Sequence, residues 1–184
     1  EFSLLISKIF KNDNLKFSFF KFLIQIFIII YLLLFCVLIF NGITQIDPNF
    51  KINMLYLFLV CIFSDVRGLV FGKIFKGKKL TKISPNKTVS GSIGSFIMSL
   101  SLVPIFYFFD DNFSNFFNLI YISILVSFFC QLGDLFISYL KRKAKVKDTS
   151  NILPGHGGLL DRIDGMLLAL PIGILMWELL IKSL

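Results

Sequence analysis

Five stretches of this sequence stay apolar over the roughly 20 residues that a helix needs to cross the hydrocarbon core of a bilayer. They run from Phe22 to Phe40, from Ile52 to about Phe75, from about Ile93 to Phe109, from Phe116 to Leu140 and from about Ile163 to Ile181. A segment immersed in lipid must satisfy its own backbone hydrogen bonds, so each stretch is expected to be a helix. The expected fold class is therefore all-α: a polytopic integral membrane helical bundle with about five transmembrane helices. With 56% hydrophobic residues, 24 of them Phe, and 16% charged residues, the chain is too apolar for a soluble domain or for disorder. Pro104 and Pro171 fall inside spans, which predicts kinks whose freed carbonyls are met by neighbouring helices.

The charges locate the loops. Nineteen basic residues against eleven acidic give a net charge of +8, which in a soluble protein would point to nucleic acid. Here the basic residues alternate between rich and poor segments. Lys8, Lys11, Lys16 and Lys21 precede the first span; six lysines occupy residues 73–87; Lys141, Arg142, Lys143, Lys145, Lys147 and Arg162 lie between the last two spans. The intervening loops and the C-terminal tail carry only Lys51 and Lys182. Because loops rich in Lys and Arg stay in the cytoplasm, the N-terminus and the second and fourth loops are expected there, with the C-terminus outside. No nucleic-acid partner is expected. Residues 1–184 read as a single membrane domain, and the start at Glu1 rather than Met suggests that an N-terminal part is missing. Cys36, Cys61 and Cys130 each sit in an apolar run and read as buried, reduced thiols.

Three places break the apolar pattern, each beside a basic loop. An ionisable group at membrane depth normally faces the bundle interior or a watery cavity, which makes Asp65, Arg67 and Asp134 functional candidates. Asp65, Gly68 and Gly72 share a helix face that a ligand or another helix could approach closely; an Asp65–Arg67 pair within a packing face is the structural reading. Gln131, Asp134, Ser138, Lys141 and Arg142 form a polar stripe on the fourth span, although lysines at a helix end also serve as membrane anchors. The densest group is Lys147-Asp148, Pro154-Gly155-His156-Gly157-Gly158 and Asp161-Arg162-Ile163-Asp164. Asp161 and Asp164 lie on one helix face, where they could hold Mg²⁺ through oxygen ligands or complement the helix dipole. Glycines leave backbone N–H groups open to phosphate, and lysines interleaved with glycines over residues 72–94 suit a polyphosphate, without Walker spacing. Together these features point to phosphoryl or nucleotidyl transfer onto a lipid phosphate at the membrane surface.

The 27 residues from Ser138 to Asp164, with Lys141-Arg142, Lys147-Asp148, Pro154 to Gly158, Asp161-Arg162 and Asp164 at fixed spacing, resemble the signature of the phosphatidate cytidylyltransferases. Ser64-Asp65, Gly72-Lys73, Gly77-Lys78, Ile83 to Thr88, Gly91 and Gly133-Asp134 are similar to that family as well, so the resemblance covers about residues 60–170. It implies transfer of CMP from CTP to phosphatidic acid, giving CDP-diacylglycerol and pyrophosphate for phospholipid biosynthesis, with Mg²⁺ and a K⁺ beside it. It implies metal binding by Asp134, Asp161 and Asp164, and catalytic roles for Asp65, Lys87 and His156 with them. Lys73, Ser138, Lys141, Arg142, Lys147, Asp148, Gly157, Gly158 and Arg162 would bind substrate. A bacterial inner membrane, a site facing the cytoplasm, surrounding membrane lipids and a homodimer are further expectations.

The chain departs from the family pattern at Ser90, where Glu is usual, and at Arg67-Gly68, where Ala-Tyr is usual. Three alternatives stay open at this level: a cytidylyltransferase for another lipid phosphate, a small ion-coupled transporter using Asp65 and Asp134, and an inactive fragment.

Overall fold

A computed structural model describes residues 1–10, 15–44, 48–75, 77–81, 84, 87–109, 115–150, 152 and 157–180, with the side chains of 15–17, 48, 49, 67–69, 72, 73 and 109 left aside. Among these residues every regular element is a helix: α1 (Phe2–Ile9), α2 (Leu15–Thr44), α3 (Pro48–Phe75), α4 (Val89–Leu100), α5 (Leu102–Phe109), α6 (Phe116–Lys143) and α7 (Leu160–Leu180). The only extended pairing described is an isolated antiparallel bridge between Lys79 and Thr88. The chain is thus an all-α membrane bundle, as the apolar runs predict.

Four segments are long and apolar enough to cross a membrane: Ser18–Thr44, Val89–Phe108, Phe116–Lys143 and Leu160–Leu180. The expected count of five is therefore approximate. The helix left out is α3, which is 28 residues long but carries Lys51, Asp65, Arg67 and Lys73. The third expected span is two helices, because the α-helix breaks at Ser101. Pro104 has no N–H to offer the Leu100 carbonyl, so the regular pattern stops there.

Pro171 behaves differently and stays inside α7. Its missing N–H frees the carbonyl of Leu167, one turn earlier, and the Tyr31 hydroxyl of α2 donates to that oxygen. This is the cross-helix satisfaction expected for a membrane proline. It also ties down α2, whose most apolar 18-residue stretch has no residue buried inside the protein. Cys36 lies on this helix and is exposed, which corrects the expectation that all three thiols are buried; Cys61 and Cys130 are.

The core lies where α3, α6 and α7 meet. Tyr56, Leu57, Val60 and Cys61 pack against Leu119, Ile122, Val126 and Cys130 and against Ala169, Leu170 and Trp177. Hydroxyls join these helices at several levels. Ser64 and Ser127 are 3.0 Å apart, Ser95 Oγ donates to the Ser64 carbonyl at 2.6 Å, and Tyr56 pairs with Ser123. In lipid, such small polar side chains hold helices together where apolar burial between them adds little.

The tightest approach is between α6 and α7. A methyl group on Gly133 would stand 2.7 Å from the Asp164 carbonyl oxygen and 3.2 Å from the Gly165 Cα, and one on Gly165 would stand 2.6 Å from Cys130 Sγ. Only glycine allows two backbones to come this close. Because the atoms facing Gly133 are backbone, they cannot swing aside. Gly133→Ala should therefore lower stability in detergent by about 1–3 kcal/mol. Gly77→Ala, whose nearest neighbour is the rotatable Ser90 Oγ at 2.7 Å, should change it by less than about 1 kcal/mol. Thermal melts of the two variants beside the parent protein check this ordering.

Candidate active site

The Gly133–Gly165 crossing puts the next residue of α6, Asp134, beside the preceding residue of α7, Asp164. Asp164 is buried, and its Oδ1 accepts the N–H of Gly165 at 2.8 Å. From α3, Asp65 reaches the same place and accepts a hydrogen bond from Cys130 Sγ at 3.3 Å. These three carboxylates, with Asp161, Arg162 and Lys87, line one cavity of about 370 Å³, to which Ser92 and Ser95 of α4 and Gln131 of α6 also contribute.

Lys87 arrives there on a short, well-tied loop. Leu80 N–H donates to the Lys87 carbonyl at 2.8 Å, Val89 N–H donates to the Lys78 carbonyl at 2.9 Å, and Thr88 caps α4 by accepting from Gly91 N–H at 3.1 Å. A β-region Ncap residue of this kind fixes the direction of the preceding chain. The Lys87 ammonium pairs with Asp134 Oδ2, while Ser138 donates to Asp134 Oδ1 at 3.4 Å. Ser90, the departure from the family pattern, lies against Gly77 with its hydroxyl 3.1 Å from that of Thr88.

Asp161 is bonded in another way. Its Oδ1 accepts from Lys141 Nζ at 2.8 Å, and its Oδ2 accepts the Thr149 N–H, the Thr149 hydroxyl and the Gly158 N–H, each at 2.9 Å. The reach back to Gly158, three residues earlier, ties the chain just ahead of α7 to a carboxylate in the first turn of that helix, where negative charge is favoured. The helix-end reading of this carboxylate is thus realised in the structure. The Gly158 N–H, expected to be open to phosphate, is committed to Asp161 instead.

Two of the signature glycines, Gly157 and Gly158, have steric reasons to be glycine. Gly157 has φ +81°, and a methyl on it would stand 3.0 Å from Asp161 Oδ2. A methyl on Gly158 would stand 2.0 Å from Thr149 Oγ1 and 2.8 Å from both carboxylate oxygens of Glu1.

Glu1 is the residue that the sequence gives no reason to single out. Its carboxylate accepts from the N–H groups of Leu159 at 2.9 Å and Leu160 at 2.6 Å, from Ser150 Oγ at 2.7 Å and from Thr149 Oγ1 at 3.0 Å. Partial burial raises its pKa, but the bonds from Ser150, Leu160, Leu159 and Thr149 outweigh that and hold it below the usual carboxylate value. Thr149 was likewise not singled out, although a hydroxyl directly after Lys147-Asp148 could have suggested a loop contact.

Of the expected site residues, Asp65, Lys87, Asp134, Asp161, Arg162 and Asp164 come together at the cavity. Lys141 and Ser138 support it through Asp161 and Asp134. Arg142, Lys147 and Asp148 are exposed and do not line the cavity. Lys73 lies near the end of α3, with its side chain outside the description, and His156 lies outside the described residues. Among the described residues, no group of three or more His, Cys, Asp or Glu stands close enough to hold one metal ion. The donors do fit a hard cation in kind, being carboxylate oxygens. Of the three carboxylates expected to bind metal, however, Asp161 has both oxygens already engaged.

A bundle of membrane helices around a cavity rich in carboxylates and lined by Lys87 and Arg162 defines an integral membrane protein with a charged cavity. The chain belongs to the cytidylyltransferase family, whose model matches residues 2–180. It is 45% identical over 120 residues to the phosphatidate cytidylyltransferase of Staphylococcus haemolyticus, covering 65% of this chain and 46% of that protein. It is 44% identical over 133 residues to the phosphatidate cytidylyltransferase of Rickettsia felis, covering 68% and 58%. The chain thus spans about half the length of these relatives.

The packing around Gly158 yields a direct test. Gly158→Ala forces its methyl into Thr149 Oγ1, so the bonds from Gly158 and Thr149 to Asp161 cannot all persist. Trypsin, cutting after Lys145 and Lys147, should then cleave this loop at least several times faster than in the parent protein, as followed by gel after a short exposure.

Proposed function

We propose that the protein transfers CMP from CTP to phosphatidic acid, forming CDP-diacylglycerol and pyrophosphate, in a bacterial inner membrane with the cavity facing the cytoplasm. The observation that carries this reading is the meeting of Asp65, Asp134, Asp164 and Lys87 around one cavity in a chain of the cytidylyltransferase family. The naming of the relatives as phosphatidate cytidylyltransferases supports the choice of substrates. The basic loops on the same side as the cavity support the cytoplasmic orientation.

In this reading an oxygen of the lipid phosphate attacks the α-phosphorus of CTP. The bond from that phosphorus to the bridging oxygen of the β-phosphate breaks, and pyrophosphate leaves with the bond's electron pair. The attacking phosphate is already anionic, so the protein has no proton to remove from it; its task is to hold negative groups near one another. Lys87, paired with Asp134 in the structure, exchanges that carboxylate for a phosphate oxygen of the nucleotide. Arg162 and the exposed Arg142 and Lys147 meet the remaining phosphate charge. Lys141 keeps Asp161 in place, and through it the loop. Asp134 and Asp164, with Asp65 across the cavity, would hold Mg²⁺, and K⁺ is proposed at the same group of carboxylates; Asp161, both of whose oxygens are engaged by Lys141, Thr149 and Gly158, would hold the segment beside them. Mg²⁺ would supply positive charge to offset the negative charge developing on the reacting phosphates. The apolar walls around this cavity suit a substrate that reaches it from the lipid, and a homodimer is part of the same proposal.

The test is turnover of α-labelled CTP with phosphatidic acid and Mg²⁺ by the intact protein in detergent or liposomes. Labelled liponucleotide and pyrophosphate should appear in equal amounts, and neither should appear after chelation until Mg²⁺ is returned. Asp164→Asn should lower kcat by about 10²-fold or more while the protein remains folded and membrane-inserted. Absence of product from the intact parent protein would remove the proposed activity.

A further inference from the structure

We infer that Glu1 is a positioning residue for the segment joining α6 to α7: from the start of α1 it clamps both ends of that segment and so sets the place of the first turn of α7, with Arg162 of the cavity on it. The inference rests on the cytidylyl-transfer reading for its catalytic consequence, but the clamp itself stands on geometry alone.

The four bonds to Glu1 come from two places in the sequence. Thr149 and Ser150 follow the end of α6, and Leu159 and Leu160 open α7. The loop between them carries the Pro154 to Gly158 run and returns to its own starting point at a single carboxylate. The first turn of a helix has N–H groups without intrahelical partners, and negative charge there is favoured by the helix dipole. Glu1 satisfies two such groups, those of Leu159 and Leu160, while Asp161 holds the Gly158 N–H just ahead of the helix, so the two carboxylates divide the work at the start of α7.

Glu1 is held in place by packing. Leu5 of α1, at 1% exposure, is buried in a cluster with Ile137, Ala144, Leu160 and Leu167, and Ile6 is buried as well. The α1 helix thus sits on the end of α6 and the start of α7, the two helices that bracket the loop. Gly158 shows how closely the carboxylate is fitted, since any side chain there would collide with Glu1 and Thr149 together. Thr149 then links Glu1 to Asp161, because its hydroxyl lies within hydrogen-bonding distance of both. Without Glu1, Leu159, Leu160, Ser150 and Thr149 lose an acceptor while Asp161 keeps its own bonds, so the loop loosens without losing its anchor to Lys141. Nucleotide binding at the cavity then has to order the start of α7, with Arg162 on it, and that ordering draws on binding energy.

The experiment compares the intact protein with Glu1→Gln and Glu1→Ala. Glutamine keeps the size and one acceptor oxygen, but it turns an N–H₂ toward groups that are themselves donors. Hydrogen–deuterium exchange should quicken by at least tenfold at the amides of Leu159 and Leu160 in both variants, with α6 and the rest of α7 unchanged. KM for CTP should rise about tenfold while KM for phosphatidic acid stays within twofold, and Glu1→Asp should recover part of the loss. Unchanged exchange at Leu159 and Leu160 overturns the clamp. A fall in kcat with both KM values unchanged reports a smaller folded fraction and overturns the positioning role. A parent protein that makes no liponucleotide overturns the reading on which the catalytic part rests, whereas an active parent with unaltered variants overturns this inference alone.

Discussion

The contact between Gly133 and Gly165 sets the geometry of everything around the cavity. Two helix backbones meet there at a distance that a single methyl group would prevent, and the acidic residues flanking the contact are carried with them. Asp134 and Asp164 are neighbours because their helices touch one residue away. The same crossing brings Cys130 against Gly165 and turns its thiol toward Asp65, so the third helix is registered to the first two through a sulfur–carboxylate contact. Mutually repelling carboxylates would separate if their backbones could move. A rigid crossing in a lipid-embedded bundle is a way to keep them together, with Lys87 supplying the opposing charge.

The second layer of organisation lies at the membrane surface, in the segment joining α6 to α7. The end of α6 is closed by a Schellman arrangement, with Val146 N–H bonded to the Lys141 carbonyl and Lys145 N–H to that of Arg142. The residue in the left-handed conformation is Lys145 rather than glycine, with φ 55°. A few residues later Thr149 meets Asp161, and the chain is directed back to start α7. The glycines here serve two purposes that sequence alone does not separate. Open N–H groups for a ligand and room for an internal carboxylate both call for glycine, and at Gly158 the second is what the structure contains.

Much of this was legible in the residue pattern. The apolar runs located α2, α3, α6 and α7, and the polar stripe from Gln131 to Lys141 marked the face of α6 that meets the cavity. The motif blocks foretold that Asp65, Lys87, Asp134, Asp161 and Asp164 would assemble, since charged groups in an apolar bundle must converge or be lost to water. Other features depended on distance in space. Periodicity does not tell a proline that breaks a helix, as near Pro104, from one that is accommodated, as at Pro171; the difference is a tyrosine 136 positions from the freed Leu167 carbonyl. Nor does it reveal that Asp161 is fully engaged by protein donors, because that depends on where Thr149 and Lys141 end up. Glu1 was invisible for the same reason, being separated from Leu160 by nearly the whole chain. His156 and the side chain of Lys73 lie outside the described residues, so their expected roles rest on the motif.

The Thr149 hydroxyl has one hydrogen and faces two carboxylates, Glu1 at 3.0 Å and Asp161 at 2.9 Å. It can serve only one fully at a time, so the two acceptors compete for it. A side-chain rotation is all that separates the two bonds, so the hold on α1 and the surroundings of Asp161 are tied to the place of one hydrogen atom.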